Sequence, residues 1–448
     1  MAALLLTSMV WSGHAQEKNE MDLSGEWAFQ TDVMDFRRGS LDVRYCHRLQ
    51  ESIVLPGITD DYKIGYKSPY RHLDRLTRVY EYMGPAWYQR EIEIPAAWKG
   101  KRIFLYFERT HWLSSVYVGK EEVSKINYIS IPHNHELTQW LHPGKKELIT
   151  FCIDNRYQYD THKWDHAHSE FTQINWNGVL GEIKLVAVDP VYVDDMQVYP
   201  DIKNKSIKVK MTVRNCTEHT ASGKISFHVT GKDYRLQKEV PVTVTDSITY
   251  IEEEMFLGKD IHLWNEFHPN LYTLDCKLTS SVEGQSYAHE KSTTFGMREV
   301  EAGEDHIILN GEPIHLRGTV ENAVFPKTGY APVDDASWER VLRILKEYGM
   351  NHMRFHSWCP PAAAFRMADK LGVYLEVEMP MWGKDAQPDE KRWNFFRREL
   401  RGILKEYGNH PSFILYCNGN EITGDFSFIE ELLSLIHISE PTRQAEIS

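Results

Sequence analysis

One unit recurs through the last third of the chain, and it leaves few choices of fold. Strand-like Ile314–Glu321 precedes a helical stretch, Asp334–Tyr348, and strand-like Asn351–His356 precedes Ala362–Leu371. Strand-like Val373–Glu378 precedes an amphipathic stretch, Lys391–Tyr407, and a fourth strand follows at Phe413–Cys417. Alternation at this spacing predicts a parallel sheet, because parallel neighbours need a crossover and a helix is the usual one. Gly349, Gly372 and Gly408 directly follow the helical stretches, as C-terminal caps should.

The fourth strand runs almost at once into Asn418, Gly419, Asn420 and Glu421. A carboxylate beside an amide at the tip of a buried parallel strand is where α/β barrels keep their catalysts. Glu421 also suits a cap on the next helix, where acidic residues are common. The other strand ends favour the first reading. Glu321 and Asn322 follow the first strand, His356, Ser357 and Trp358 the second, and Glu378 ends the third. A purely structural sheet does not need hydrophilic residues at each of these ends.

Several segments in order resemble the family-two glycoside hydrolases, which include β-galactosidases, β-glucuronidases and β-mannosidases. Phe295-Gly296-Met297-Arg298, Leu309-Asn310-Gly311-Glu312-Pro313 and Leu316-Arg317-Gly318 resemble that family's barrel entry. Gly349-Met350-Asn351-His352-Met353-Arg354 is similar to its second strand, and Leu371-Gly372-Val373-Tyr374 through Glu378 to its third. Asn409-His410-Pro411-Ser412 through Gly419-Asn420-Glu421 resembles its acid/base segment.

Upstream, the chain reads as β structure. Short alternating runs at Trp87–Ile94, Arg102–Phe107, Leu113–Val118 and Glu147–Ile153 predict a jelly-roll sandwich over residues 21–188. Leu23-Ser24-Gly25-Glu26-Trp27 and Gly84-Pro85-Ala86-Trp87-Tyr88 also resemble the family's sugar-binding domain. Runs at Ile207–Val213, Lys224–Val229, Glu239–Val244 and Tyr272–Leu278 predict an immunoglobulin-like sandwich over 189–299. The expected architecture is therefore multidomain: jelly roll, immunoglobulin-like sandwich, then an incomplete TIM (β/α)8 barrel, its first four β/α units, over 300–433.

The start, residues 1–20, is an apolar run with a small residue at Ala15, like a secretory signal without the usual basic segment. It predicts a periplasmic or secreted bacterial protein; a disordered tail is the other reading. The run is too short to span a bilayer. The six cysteines lie far apart, so free or buried thiols are expected. A net charge of −13, with no basic cluster, argues against nucleic acid or an anionic membrane as partner. The 13 Trp and 23 Tyr suit sugar stacking, although most will be core.

Retaining glycosidases need a proton donor and a nucleophile, both carboxyl groups. The donor must keep its proton near neutral pH, through burial or a neighbouring anion. The resemblance makes Glu421 the acid/base and gives Asn420 a hydrogen bond to a sugar hydroxyl. The family's nucleophile lies at the end of a seventh strand, which this chain does not reach. Arg354, His356, Glu378, Glu321, Asn322 and Trp358 are expected to line the pocket. The loop Gln173-Ile174-Asn175-Trp176-Asn177-Gly178 precedes the last jelly-roll strand, and in the family a corresponding loop approaches the sugar. Gln173 and Asn175 are its candidates, since amides both donate and accept. Trp176 could equally be a packing residue.

Around the site the chain departs from the well-known galactosidases. Thr319–Pro326 replaces a His-rich run, His356-Ser357 reverses the usual order, and Met379-Pro380-Met381-Trp382 lacks the residues that hold magnesium in some relatives. No metal or other cofactor is expected, and another sugar or linkage is. Residues 434–448 change character and resemble translated sequencing-adaptor read-through; they are read as a non-native tail, with a short C-terminal helix as the alternative. Half a barrel would leave its first and fourth strands unpaired and its inner face exposed. The expected function is an exo-acting, retaining β-glycosidase, β-galactosidase-like, acting on an oligosaccharide or glycoside and present as a fragment. The alternatives are a non-catalytic carbohydrate-binding protein, which would have no use for Asn420-Glu421, and a non-functional truncated product.

Overall fold

The computed structural model describes residues 19–32, 49–161, 164–171, 175–383, 389–424, 426–439 and 445–446. The signal-like start through residue 18, Cys46 and Gln173 lie outside them.

The first unit stacks two antiparallel sheets. One contains Glu20–Asp22, Gly178–Val188, Arg102–Thr110 and His133–Glu136; the other runs Glu121–Asn127, Leu113–Val118, Lys146–Asp154, Pro85–Glu93, Gly25–Thr31, Glu51–Leu55. Alternation explains the stacking. Along Arg102–Thr110, Ile103, Leu105 and Phe107 turn inward while their neighbours stay partly exposed. Phe107 from one sheet meets Phe151 from the other at 4.8 Å, and Phe151 also packs on Trp27 and Tyr88.

The second unit repeats this plan with a three-stranded sheet and a four-stranded sheet around one apolar core. Three of its strands, Val191–Asp201, Ile248–Phe256 and Gln285–Phe295, were not among those expected. The last two are polar on one face: Glu252 pairs with Lys208, and Glu290 with Lys277. Their apolar signal is diluted accordingly.

The third unit begins with a small antiparallel sheet, Val300–Ala302, Ile307–Leu309 and Glu312–Ile314. This corrects the expectation of one strand over Ile314–Glu321. Ile314 pairs backwards with Ile307, and the parallel sheet starts only at Gly318. That sheet contains β1 (Gly318–Glu321), β2 (His352–Phe355), β3 (Tyr374–Glu378), β4 (Phe413–Cys417) and β5 (Ala445–Glu446), side by side in sequence order. Helices α1 (Asp335–Glu347), α2 (Ala362–Leu371), α3 (Glu390–Tyr407) and α4 (Ser427–Ser439) follow the first four strands. The sheet is open; no barrel closes among the described residues. β5 covers one edge of β4, so the expectation of an unpaired fourth strand is not met, and α4 runs through the boundary expected at 434. β1 remains an edge, with Val320 half exposed.

Several family-like segments turn out to fasten the units together. The Asn409 amide accepts from Val198 N at 2.9 Å and donates to the Met196 carbonyl at 2.9 Å. Within the third unit, Asp369 of α2 accepts from Ser412 N at 3.0 Å and pairs with His410. Arg298, fully buried, donates to the Phe413 carbonyl at 2.6 Å. Trp264 donates to the Asp369 carbonyl at 2.9 Å. The first unit docks on α3, where the buried Glu399 carboxylate accepts from Ile129 N at 2.6 Å and Ser130 N at 3.2 Å. Trp112 and Ile129 join the same core as Phe395, Leu400 and Tyr407.

Five cysteines are described, Cys152, Cys216, Cys276, Cys359 and Cys417, and no disulfide joins them. Among the described residues no helix is long and apolar enough to cross a membrane.

Candidate active site

The carboxyl ends of β1 to β4 converge on one polar cluster, and the backbone there is under strain. Ala323, Ser357 and Glu421 have φ of 52°, 53° and 49°, the left-handed region that non-glycine residues avoid. Such residues concentrate at functional sites, where surrounding structure holds them. Gly419 shows how tightly the tips approach. Its φ is +137°, and a Cβ there would lie 2.1 Å from the Met381 carbonyl oxygen. Asn420 N then donates to that same carbonyl at 3.0 Å, and Gly383 N to the Asn420 carbonyl at 2.9 Å. The close approach carries the pairing of β3 and β4 beyond their ends and sets Trp382 beside Asn420.

Arg354, projecting from β2, organises the floor. Its guanidinium forms an ion pair with Glu378 and donates to Asn420 Oδ1 at 3.1 Å. Glu376 lies 3.4 Å away and also faces His352 at 3.4 Å. Glu378 is fully buried and accepts from Ser357 N at 2.6 Å. Burial pushes its carboxyl above the usual range, against the pull of Arg354 and the Ser357 amide. A forked cation bound to a buried carboxylate is rigid, so the Asn420 amide that leans on it is held too.

Above this floor sits a ring cluster. His356 Nδ1 and His166 Nδ1 are 3.0 Å apart, so one donates and the other accepts. Burial lowers both imidazoles, His166 to about 4, which makes a neutral pair. Trp382 stacks on His166 at 5.3 Å and meets His356 edge-on at 4.6 Å. Its indole Nε1 donates to Glu421 Oε2 at 3.0 Å. Glu421 itself is exposed. The burial that the sequence reading asked of a proton donor is therefore absent at this position among the described residues.

Arg354, His356, Glu378, Asn420 and Glu421 are thus brought together. Glu321 stands at the side, where its carboxylate accepts from Ala323 N at 2.8 Å and Val324 N at 3.3 Å. Burial raises it as well. Trp358 is buried and donates to the Glu321 carbonyl at 3.1 Å, so it braces the β1 end rather than facing outward. Asn322 keeps a buried Oδ1 without a protein partner. Among the described residues no group of three or more His, Cys, Asp or Glu could hold a metal ion.

Asn175 does not join the cluster. It is buried, its Nδ2 donates to the Asn155 carbonyl at 2.7 Å, and its own carbonyl accepts from Arg78 and Asn155. It shapes the loop. Trp176 packs face to face with His111 at 4.1 Å. The first unit reaches the site through a different segment, Trp164 to His168. There Asp165 accepts from Thr161 Oγ1 at 2.9 Å and faces His168 at 3.0 Å, which fixes the turn that presents His166. The run Trp164-Asp165-His166-Ala167-His168 was the signal in the sequence, and its density of His and Trp could have drawn attention.

Residues 191–298 match the model of the glycosyl hydrolases family 2. The match falls on the second unit, and the chain as a whole is similar to enzymes of this family. It is 23% identical over 367 residues to a β-galactosidase of Thermoanaerobacter pseudethanolicus, covering 81% of this chain and 48% of the relative. It is 21% identical to the β-glucuronidase of Sus scrofa, covering 96% and 67%. A family 2 member from Bacteroides cellulosilyticus superposes with a TM-score of 0.75 at 20% identity, covering 95% of this chain and 57% of that one. A Ruminococcus gnavus β-glucuronidase in complex with D-glucaro-d-lactam gives 0.75 at 18% identity, covering 95% and 71%. The chain spans about half the length of the first relatives it matches. The chain is mostly β structure in several units, and the proteins it resembles include both β-galactosidases and β-glucuronidases.

Proposed function

We propose that the protein is a retaining β-glycosidase in which Glu421 protonates the leaving oxygen and Asn420 orients the sugar. One observation carries this reading. Asn420 and Glu421 sit together past the end of β4, the first held by Arg354 and the second by Trp382. A proton donor must stand at the rim, where the leaving group departs, and Glu421 is the exposed member of the cluster. Arg354, partly exposed above the buried Glu378, offers donors to the hydroxyls of a sugar ring, and Asn420 beside it offers an amide. Substrate packing over Glu421 would supply the desolvation that its exposed position lacks.

The family relation supports the finer architecture as well. We read the two stacked-sheet units as a jelly roll and an immunoglobulin-like sandwich, and β1–β4 with their helices as four units of a (β/α)8 barrel. The nucleophile in this reading comes from a part of the whole protein outside the described strands.

The test uses the whole protein with Glu421→Ala. In a retaining enzyme, an acid/base that is missing also fails to activate water for the second step. Azide needs no activation, so it should restore turnover of an activated aryl β-glycoside and yield a β-glycosyl azide. Turnover indifferent to azide would rule Glu421 out of the role.

A further inference from the structure

We propose that Trp382, Trp164 and Phe171 form a track of rings that receives the leaving-group side of a β-linked oligosaccharide. The proposal rests on Glu421 being the proton donor and names the substrate class of that same site. The rings continue outward from the carboxylate without a gap. Trp382 donates to Glu421 at 3.0 Å, Trp164 lies 6.3 Å from Trp382 between ring centroids, and Phe171 lies 6.4 Å from Trp164. The outer rings are more exposed than the floor. Glu378 on the floor is fully buried, Trp382 is partly exposed, and Trp164 and Phe171 are 40% and 36% exposed. Arg75 closes the outer end, its guanidinium 5.1 Å above the Phe171 ring.

Chemistry assigns the direction. The acid delivers its proton to the glycosidic oxygen, so whatever lies beyond Glu421 on the rim faces the departing unit. The solvent-exposed parts of the Trp164 indole and the Phe171 ring give a pyranose an apolar surface, while its hydroxyls stay in water. Successive rings tilt by 50° and 60°. That surface turns as it goes, so it fits a bent or twisted glycan better than a flat ribbon. The segment bearing Trp164 is anchored by Asp165 and His166, which gives the track a fixed base.

The purified chain would be titrated with β-1,3- and β-1,4-linked gluco- and galacto-oligosaccharides of one to four units, followed by tryptophan fluorescence. In at least one series, affinity should rise about tenfold over the first added units, the scale of one or two good ring contacts. The double variant Trp164→Ala/Phe171→Ala should lose that rise with unchanged melting, and Trp164→Phe should keep it. No length dependence in any series, or length dependence that survives the double variant, overturns the track. A Trp164→Phe variant behaving like Trp164→Ala does the same. The acid role is judged apart, by the leaving-group dependence of Glu421→Gln. Lost length dependence with that effect intact sinks the track alone. The converse sinks the acid role.

Discussion

At the scale of single residues, the site depends on one cation. Arg354 serves Glu378, Glu376 and Asn420 at once, so its loss strands a buried carboxylate and frees the amide. Arg354→Lys keeps the charge but not the fork. In the whole protein it should lower kcat/KM by about 100-fold, on the scale of breaking a buried hydrogen-bonded charge pair. Loss below threefold would mean that Asn420 is held by something else. The gathering of Glu421, Asn420, Arg354, His356 and Glu378 at the strand ends was legible in the sequence from the strand–helix alternation together with the family resemblance. His166 and Trp382 were not. His166 belongs to another unit, and local pattern does not say which loops of one unit touch another. Asn175 shows the same limit: a polar loop residue looks alike in sequence whether it binds a ligand or, as its Nδ2 does with Asn155, a nearby backbone carbonyl.

Glu399 carries a second residue-scale consequence. Burial raises its carboxyl to about 7, from an ordinary 4.5. A carboxyl whose folded value lies above its unfolded value adds stability that is complete below the unfolded value. That stability is lost as pH rises through the folded value. The melting temperature should therefore decline between about pH 5 and pH 8, and Glu399→Gln should flatten part of that decline. An identical pH profile in the variant would show that Glu399 does not titrate in this window.

Among the elements, α2 and β4 lie where the pattern put them, at Ala362–Leu371 and Phe413–Cys417. Both are strongly periodic and end at clear stops. α1 starts where Asp334 accepts from Ser337 N at 2.8 Å. Asp334→Ala should cost about 1 kcal/mol, the usual worth of such a cap, read as a lower urea midpoint with unchanged slope. A midpoint equal to the parent's would show that tertiary packing alone holds that end. The strand drawn over Ile314–Glu321 failed because apolar residues on both sides of His315–Arg317 read as one run. The break lies in which partner each half pairs with, and that is tertiary information. Strands such as Ile248–Phe256 escaped because their outward faces carry cross-strand ion pairs in place of apolar residues.

For the whole molecule, the segments that resemble family 2 enzymes do two jobs. Asn409 and Arg298 staple the second unit to the third, His410 and Ser412 tie β4 to α2 within the third, and Asn420 and Glu421 stand at the candidate site. Inter-unit docking and the candidate site are thus joined through β4, which receives Arg298 at its start and carries Asn420 and Glu421 past its end. The claim that matters most is that Glu421 donates the proton. The most direct measurement compares Glu421→Gln with the parent whole protein across aryl β-glycosides of graded leaving-group acidity. Poor leaving groups need protonation and good ones do not. The account predicts a steep loss of kcat/KM for the poor leaving groups, with the best ones nearly unaffected. Equal losses across the series would contradict it.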